Sequence, residues 1–159
     1  IIIYLHNLHS MPEVEYFPDP ETYIFPEKVV LDDGTVLRGK TVGESAILQE
    51  PDEFRIDPNF EISSYNPETL EMEVVRKSDG KIVIMPRMDV IDAIIIYLSE
   101  NPGATAGDVM AHIIEWKSQE HPELQTDDRK AAALAILTAN LLLMMYEKGL
   151  VKITKVDNR

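Results

Sequence analysis

The residues best spaced for metal chemistry are His112, Glu115 and His121. His112 and Glu115 are three positions apart, so a helix would place both side chains on one face. The third ligand would come from a different segment, and the sequence has no His-Glu-x-x-His motif to fix two histidines on one helix. Such loose spacing is more typical of partly exposed side chains, so we predict no metal and no other cofactor.

Asp57, Asn59 and Glu61 alternate as oxygen ligands alternate in a calcium loop. The glycine that follows in an EF-hand is missing, and Pro58 lies inside the cluster. Asp and Asn are typical of turns, because their side chains accept hydrogen bonds from nearby backbone N–H groups. We therefore interpret this cluster as a turn.

No catalytic motif is recognisable in the sequence. Gly39 and Gly43 lack the spacing of a phosphate-binding loop, and no nucleophile elbow surrounds Ser45. The chain has no cysteine, which excludes disulfides and thiol catalysis and fits a reducing compartment such as the cytoplasm. We therefore expect a protein that is not an enzyme and has no small-molecule substrate.

The chain is acidic, and its charge is unevenly spread. The net charge is −13, and residues 1 to 86 hold 17 of the 28 Asp and Glu residues but only 7 of the 15 Lys and Arg residues. Basic contacts to phosphates dominate nucleic-acid affinity, so this composition disfavours a nucleic acid as partner. The apolar content of 45% is that of a globular protein.

We divide the chain into three segments, and the first, residues 1 to 27, is predicted to be an extended acidic arm. Residues 1 to 10 are too short for a signal peptide or a membrane span; an extension, a truncated element and a strand all fit them. Prolines among acidic residues at 12 to 27 oppose helix and sheet. The apolar anchors that would strap the arm onto the protein or a neighbour are Tyr16, Phe17, Tyr23, Ile24 and Phe25.

The second segment, residues 28 to 86, has the pattern of a small antiparallel β-rich module. Gly34 and Gly80 each separate two apolar runs, which predicts two hairpins whose turns place these glycines at positive φ. Shorter strands are predicted at 46 to 49, 53 to 57 and 60 to 65. Strands at this spacing favour a small barrel or sandwich.

The third segment, residues 87 to 159, has apolar residues at helical spacing, and we predict three helices in it. The first would be capped by Asp89, with Asp92 at its third position. The second would be capped by Thr105, with Asp108 in the same relation. These pairs mark where the first two helices begin.

The third helix covers the most apolar stretch, residues 131 to 148, and is expected to follow Thr126 and end before Gly149, with a strand at 150 to 155. Its core-facing stripe would be Leu134, Thr138, Leu142 and Met145. The residues on its other faces, expected to bind a partner, are Ile136, Ala139, Asn140, Leu143 and Met144. The unbroken apolar run is too short to span a membrane. As an alternative, the β-rich module covers these faces within one chain.

The order of helix, turn, helix, loop, helix and strand resembles the winged-helix superfamily. The resemblance is carried by IIIYLSENPGATAGDVMAHI at 94 to 113 and MMYEKGLVKI at 144 to 153. It implies either a protein-interaction module or a DNA-binding regulator, whose third helix would enter the major groove with polar or basic side chains. Here that helix is apolar, so any DNA contact would fall to a basic wing with Lys148, Lys152 and Lys155.

The sequence therefore predicts an α+β fold: a small antiparallel β-rich N-terminal module followed by a winged-helix-like three-helix module. The expected function is protein–protein interaction or assembly through the apolar third helix, as a homodimer or as a subunit of a larger complex. The alternative is a winged-helix transcription regulator that binds DNA through its wing. We expect no contact with a membrane.

Overall fold

The computed structural model describes residues 14–24, 28–31, 34, 36–38 and 53–154. Several predictions fall outside these residues: those for residues 1 to 10, the strand at 46 to 49, Phe25 and Lys155. Strands occupy the N-terminal half of the described chain and three α-helices the C-terminal half, so the α+β prediction is confirmed.

The elements follow one another in a simple order along the chain. The first seven strands are β1 (Val14–Tyr16), β2 (Lys28–Val30), β3 (Val36–Arg38), β4 (Glu53–Ile56), β5 (Phe60–Asn66), β6 (Glu71–Arg76) and β7 (Ile82–Ile84). The C-terminal half contains α1 (Asp89–Glu100), β8 (Ala104–Thr105), α2 (Ala106–Ser118), a 3-10 turn (Pro122–Gln125), α3 (Asp128–Glu147) and β9 (Val151–Thr154).

The largest sheet has the strand order β1-β7-β6-β5 and is antiparallel except for β1, which runs parallel to β7. The expectation that the proline-rich arm avoids sheet structure is wrong here, since β1 belongs to that arm. Its Glu15 carboxylate lies 2.6 Å from Arg76 and 3.4 Å from Lys81, which ties it to its neighbours. Phe17 and Tyr23 pack against the core as predicted anchors. Two other expected anchors are largely exposed, Tyr16 at 77% and Ile24 at 89%.

Both predicted hairpins are present. β2 pairs with β3, and β6 pairs with β7, each in antiparallel register. The glycines of the turns, Gly34 and Gly80, have φ of 89° and 72°. Positive φ strains residues with a Cβ, so the turn chemistry of these two glycines determines where each hairpin folds back.

Gly80→Val is expected to lower the free energy of unfolding by about 1–3 kcal/mol, because a β-branched residue is strained at positive φ. Among the described residues other than its two chain neighbours, no heavy atom lies within 4 Å of a Cβ built at Gly80, so the loss would come from the backbone and not from a clash. Gly80→Asn is the matched comparison. It should lower the free energy of unfolding by less than Gly80→Val, since Asn tolerates a positive φ better than Val does. Equal melting curves for the Gly80→Val variant and the wild type would contradict the assignment of a turn with positive φ at Gly80.

A three-stranded sheet joins the two halves of the chain. Its order is β8-β4-β9, so β4 is the central strand. Phe54 of β4 pairs with Ala104 of β8 on one side and with Ile153 of β9 on the other. The segment boundary at residue 87 stays a prediction. β4 lies before this boundary, whereas β8 and β9, the two strands that pair with β4, lie after it.

The helix starts differ in part from the sequence prediction. α1 begins at Asp89 after the N-cap Met88, so Asp89 does not cap this helix. At α2 the predicted capping box is confirmed, because the Thr105 side chain accepts from the Asp108 backbone N–H and the Asp108 side chain accepts from Thr105. The N-cap of α3 is Asp127 rather than Thr126. An Asp side chain accepts bonds from the first-turn N–H groups, which explains this shift by one residue.

Candidate interaction site

The C-terminal half of α3 is part of the hydrophobic core. Thr138, Leu142 and Met145 of the predicted stripe are buried, and Leu134 packs against the core from a half-buried position. The full set of buried residues in this helix is Thr138, Ala139, Leu141, Leu142, Leu143, Met144 and Met145. The helix packs against α1, α2 and β9. Its C-terminal half is therefore enclosed on several sides by elements of the same chain.

This burial corrects the expectation that the other faces of the helix are free. Ala139, Leu143 and Met144 are exposed by only 4%, 3% and 0%. The sequence places them about 100° and more from the core stripe, but a helix packed on several sides buries more than one stripe. Of the five predicted partner residues, only Ile136 and Asn140 are partly accessible, each half-buried.

The N-terminal half of α3 has the opposite character. Residues 131 to 137 read AAALAIL, and none of these seven apolar residues is buried. Ala132 and Ala133 are exposed, and Ile136 is half-buried without belonging to the core. Residues three to four and seven to eight apart share a helix face. We name the face formed by Ala132, Ala133, Ile136 and Asn140 the outer face of α3.

Sequence analysis missed Ala132 and Ala133 because small residues carry little weight in a hydrophobic pattern. The sequence does contain one signal for this face, since the apolar run begins at residue 131, about two helical turns before the first buried residue, Thr138. The face is flanked at its start by exposed Arg129 and Lys130. A polar border of this kind is common around apolar contact surfaces.

The basic residues predicted for the wing lie next to acidic or aromatic groups. Lys148 is exposed, and its Nζ lies 5.5 Å from the centre of the Tyr23 ring. Lys152 Nζ lies 3.9 Å from a carboxylate oxygen of Asp57. The Tyr23 hydroxyl donates to the Glu147 carboxylate, which adds a negative charge near Lys148. These neighbours offset the attraction that either lysine has for a phosphate.

The candidate metal ligands do not converge. The His112 ring stacks on Tyr97 with centroids 4.2 Å apart, and His121 Nδ1 lies 3.5 Å from Glu123. Within residues 14–24, 28–31, 34, 36–38 and 53–154, no group of three His, Asp or Glu residues could hold a metal ion. At Asp57 the turn interpretation is confirmed, because its Oδ1 accepts from the Asn59 backbone N–H at 2.8 Å.

A carboxylate is buried on α1 without a partner. Asp92 is 0% exposed, and neither of its oxygens has a hydrogen-bond partner among the residues that the structure describes. Burial raises the pKa of Asp92 to about 7, and the nearby charge of Asp89 acts in the same direction. Burial also raises the pKa of Tyr65, with smaller contributions from Asp92 and Asp89. The protonated form of Asp92 is therefore favoured below about pH 7 in the folded protein.

By length and composition alone, α3 as a whole could cross a membrane, whereas the prediction concerned only its unbroken apolar run. However, 39% of its most apolar stretch is buried against the rest of the chain, and a core helix of a soluble protein passes the same test. A soluble protein is therefore compatible with the structure.

Comparison with known proteins gives no match to any family model, curated protein or solved structure. The winged-helix resemblance stays a prediction that depends on residues 94 to 113 and 144 to 153. The observed order of α1, α2, α3 and β9 agrees with the order predicted from the sequence, whereas β8 lies where only a turn was predicted. The strand that completes the sheet, β4, comes from before the helices rather than after them.

Proposed function

We propose that the chain is a non-catalytic protein–protein interaction or assembly module that uses the outer face of α3. The observation that supports this is the contrast within one helix. Seven consecutive apolar residues at 131 to 137 include no buried one, whereas the following eight include seven buried ones. An apolar helix segment that is accessible to water is typical of a surface that a partner protein covers.

The composition of the outer face suits a second helix. Ala132 and Ala133 would allow a partner backbone to approach closely, and Ile136 would fit between side chains of that partner. Asn140 offers a polar group at the end of the face near the core. A second copy of the chain can use the same face on both sides of a two-fold axis, so our first choice of partner is a homodimer.

The location that we propose is the cytoplasm, because the chain has no cysteine. The proposal includes no cofactor and no enzymatic step. The winged-helix-like framework would serve as the scaffold that holds α3, and its wing would not be required for the contact.

Ala133→Glu combined with Ile136→Glu is expected to leave a folded monomer. Both positions are on the outer face and neither is buried, so two carboxylates would disrupt association without disturbing the core. Light scattering should give the wild type a mass of twice 18.0 kDa and the double variant 18.0 kDa. Ala111→Glu, at an exposed position of α2, is the matched control and should remain dimeric.

Two results would contradict the proposal. One is a wild type that remains monomeric at concentrations where the outer face should associate, with no change on substitution. The other is binding of duplex DNA that weakens steeply with salt and is lost in Lys152→Glu, which would favour a DNA-binding regulator instead.

A further inference from the structure

A groove between α1 and α2 combines aromatic rings with carboxylates. Its volume is about 260 Å³. The groups that matter are, from α1, Asp89, Tyr97 and Glu100 and, from α2, His112 and Trp116, with Tyr65 of β5 beside them. None of the described lining residues is a Lys or an Arg. This surface is distinct from the outer face of α3.

At one end of the groove the chain itself places a cation. The Lys117 ammonium donates to the Asp89 carboxylate at 2.5 Å and lies 5.2 Å from the centre of the Trp116 ring. An electron-rich ring face and a carboxylate act together on an ammonium group, since the first attracts the charge and the second accepts its hydrogen bond. This end therefore shows which ligand chemistry the groove suits.

The other end also combines a carboxylate with an aromatic ring, and the described residues that line it include neither Lys nor Arg. Glu100 is exposed and is the last residue of α1, where the helix dipole adds negative potential. Tyr97 is three residues earlier, on the same helix face, and its ring stacks on His112. In the part of the chain that the structure describes, Glu100 has no ion pair. A carboxylate beside an aromatic ring is thus open to an external ammonium group.

The length of the groove indicates what carries that ammonium. Asp89 and Glu100 are eleven positions apart on one helix, which corresponds to about 16 Å. An extended peptide rises about 3.3 Å per residue, so roughly five residues would fill this length. We propose that the groove binds a lysine-containing segment of a partner protein, with the lysine ammonium between Glu100 and Tyr97 as Lys117 is placed between Asp89 and Trp116.

The single tryptophan of the chain provides the measurement. Trp116 lines the groove, so its fluorescence reports directly on occupancy. We expect the acetylated and amidated peptide Ala-Ala-Lys-Ala-Ala, titrated into the full chain, to give a saturable change. Glu100→Lys should weaken this binding at least roughly tenfold, because it supplies its own cation and removes the carboxylate.

Glu115→Lys is the matched control. It makes the same change in net charge at an exposed position of α2 outside the groove, and it should alter the affinity by less than about twofold. Circular dichroism of both variants verifies the fold; a Lys at the C-terminal end of α1 is favourable for the helix.

Four outcomes would overturn the proposal. The first is no saturable change up to about 10 mM peptide, which is weaker than a useful contact. The second is equal weakening by both variants, which would show general attraction to an acidic chain. The third is equal binding of a peptide with norleucine in place of lysine. The fourth is tetramethylammonium binding as tightly as the peptide, which would make this a site for small organic cations.

Discussion

Phe54→Ala is expected to lower the free energy of unfolding by about 3–5 kcal/mol, the usual cost of removing a fully buried aromatic side chain. Phe54 is 1% exposed and lies on the central strand of the sheet that joins both halves of the chain. β4 also packs against α1, so the cavity would lie between the sheet and the first helix. Urea unfolding followed by circular dichroism measures the loss.

Phe60→Ala is the matched control for this prediction. Phe60 is a half-buried phenylalanine at the start of β5. Its truncation to Ala should lower the free energy of unfolding by roughly half as much as Phe54→Ala, or less. If the two variants lost equal stability, Phe54 would not occupy the centre of the core. A stably folded fragment of residues 87 to 159 would contradict the placement of β4 even more directly, because that fragment lacks the central strand.

Asp92→Asn is expected to stabilise the protein at pH 8 by on the order of 2–4 kcal/mol. The folded protein holds the proton of Asp92 up to about pH 7, whereas the unfolded chain releases it near the ordinary Asp pKa of 3.8. The folded state therefore binds more protons between these values, and wild-type stability falls as the pH rises from about 4 to 7. Asn is neutral throughout and removes this dependence, although its amide stays buried without a partner.

The measurement is a series of unfolding curves from pH 4 to pH 8 for both proteins. The gain should be small at pH 4, where the folded protein already holds Asp92 neutral, and largest at pH 8. Asp128→Asn makes the same chemical change at an exposed position of α3 and should show no comparable gain. A gain that does not change with pH would mean that Asp92 is not the titrating group.

Local signals in the sequence were sufficient for several elements. The two hairpins follow from Gly34 and Gly80, and the start of α2 follows from Thr105 and Asp108, because each depends on residues within one turn of the chain. The central position of β4 could not be predicted, since a four-residue strand carries too little pattern to specify partners about 50 and 100 residues away.

The candidate surfaces also depend on contacts between distant parts of the chain, which local sequence patterns do not specify. Periodicity identified the stripe containing Leu142, but it could not tell that Leu143 and Met144 are enclosed as well, because that depends on which elements pack around the helix. Its spacing from Asp89 predicts a capping role for Asp92, although Asp92 stands inside an apolar run from Val90 to Ile95. Helix α1 starts one residue earlier than predicted, after the N-cap Met88, and the Asp92 carboxylate lies on its buried face.

The position of β4 also affects how the protein folds during synthesis. Phe54 pairs with Ile153, so about a hundred residues must be made after β4 before its second neighbour exists. At typical rates of 5–20 residues per second, this delay lasts roughly 5–20 s. During that time one backbone edge of β4 stays open, and other strands can pair with it. The chain is therefore most exposed to pairing with other chains between the synthesis of β4 and the emergence of β9.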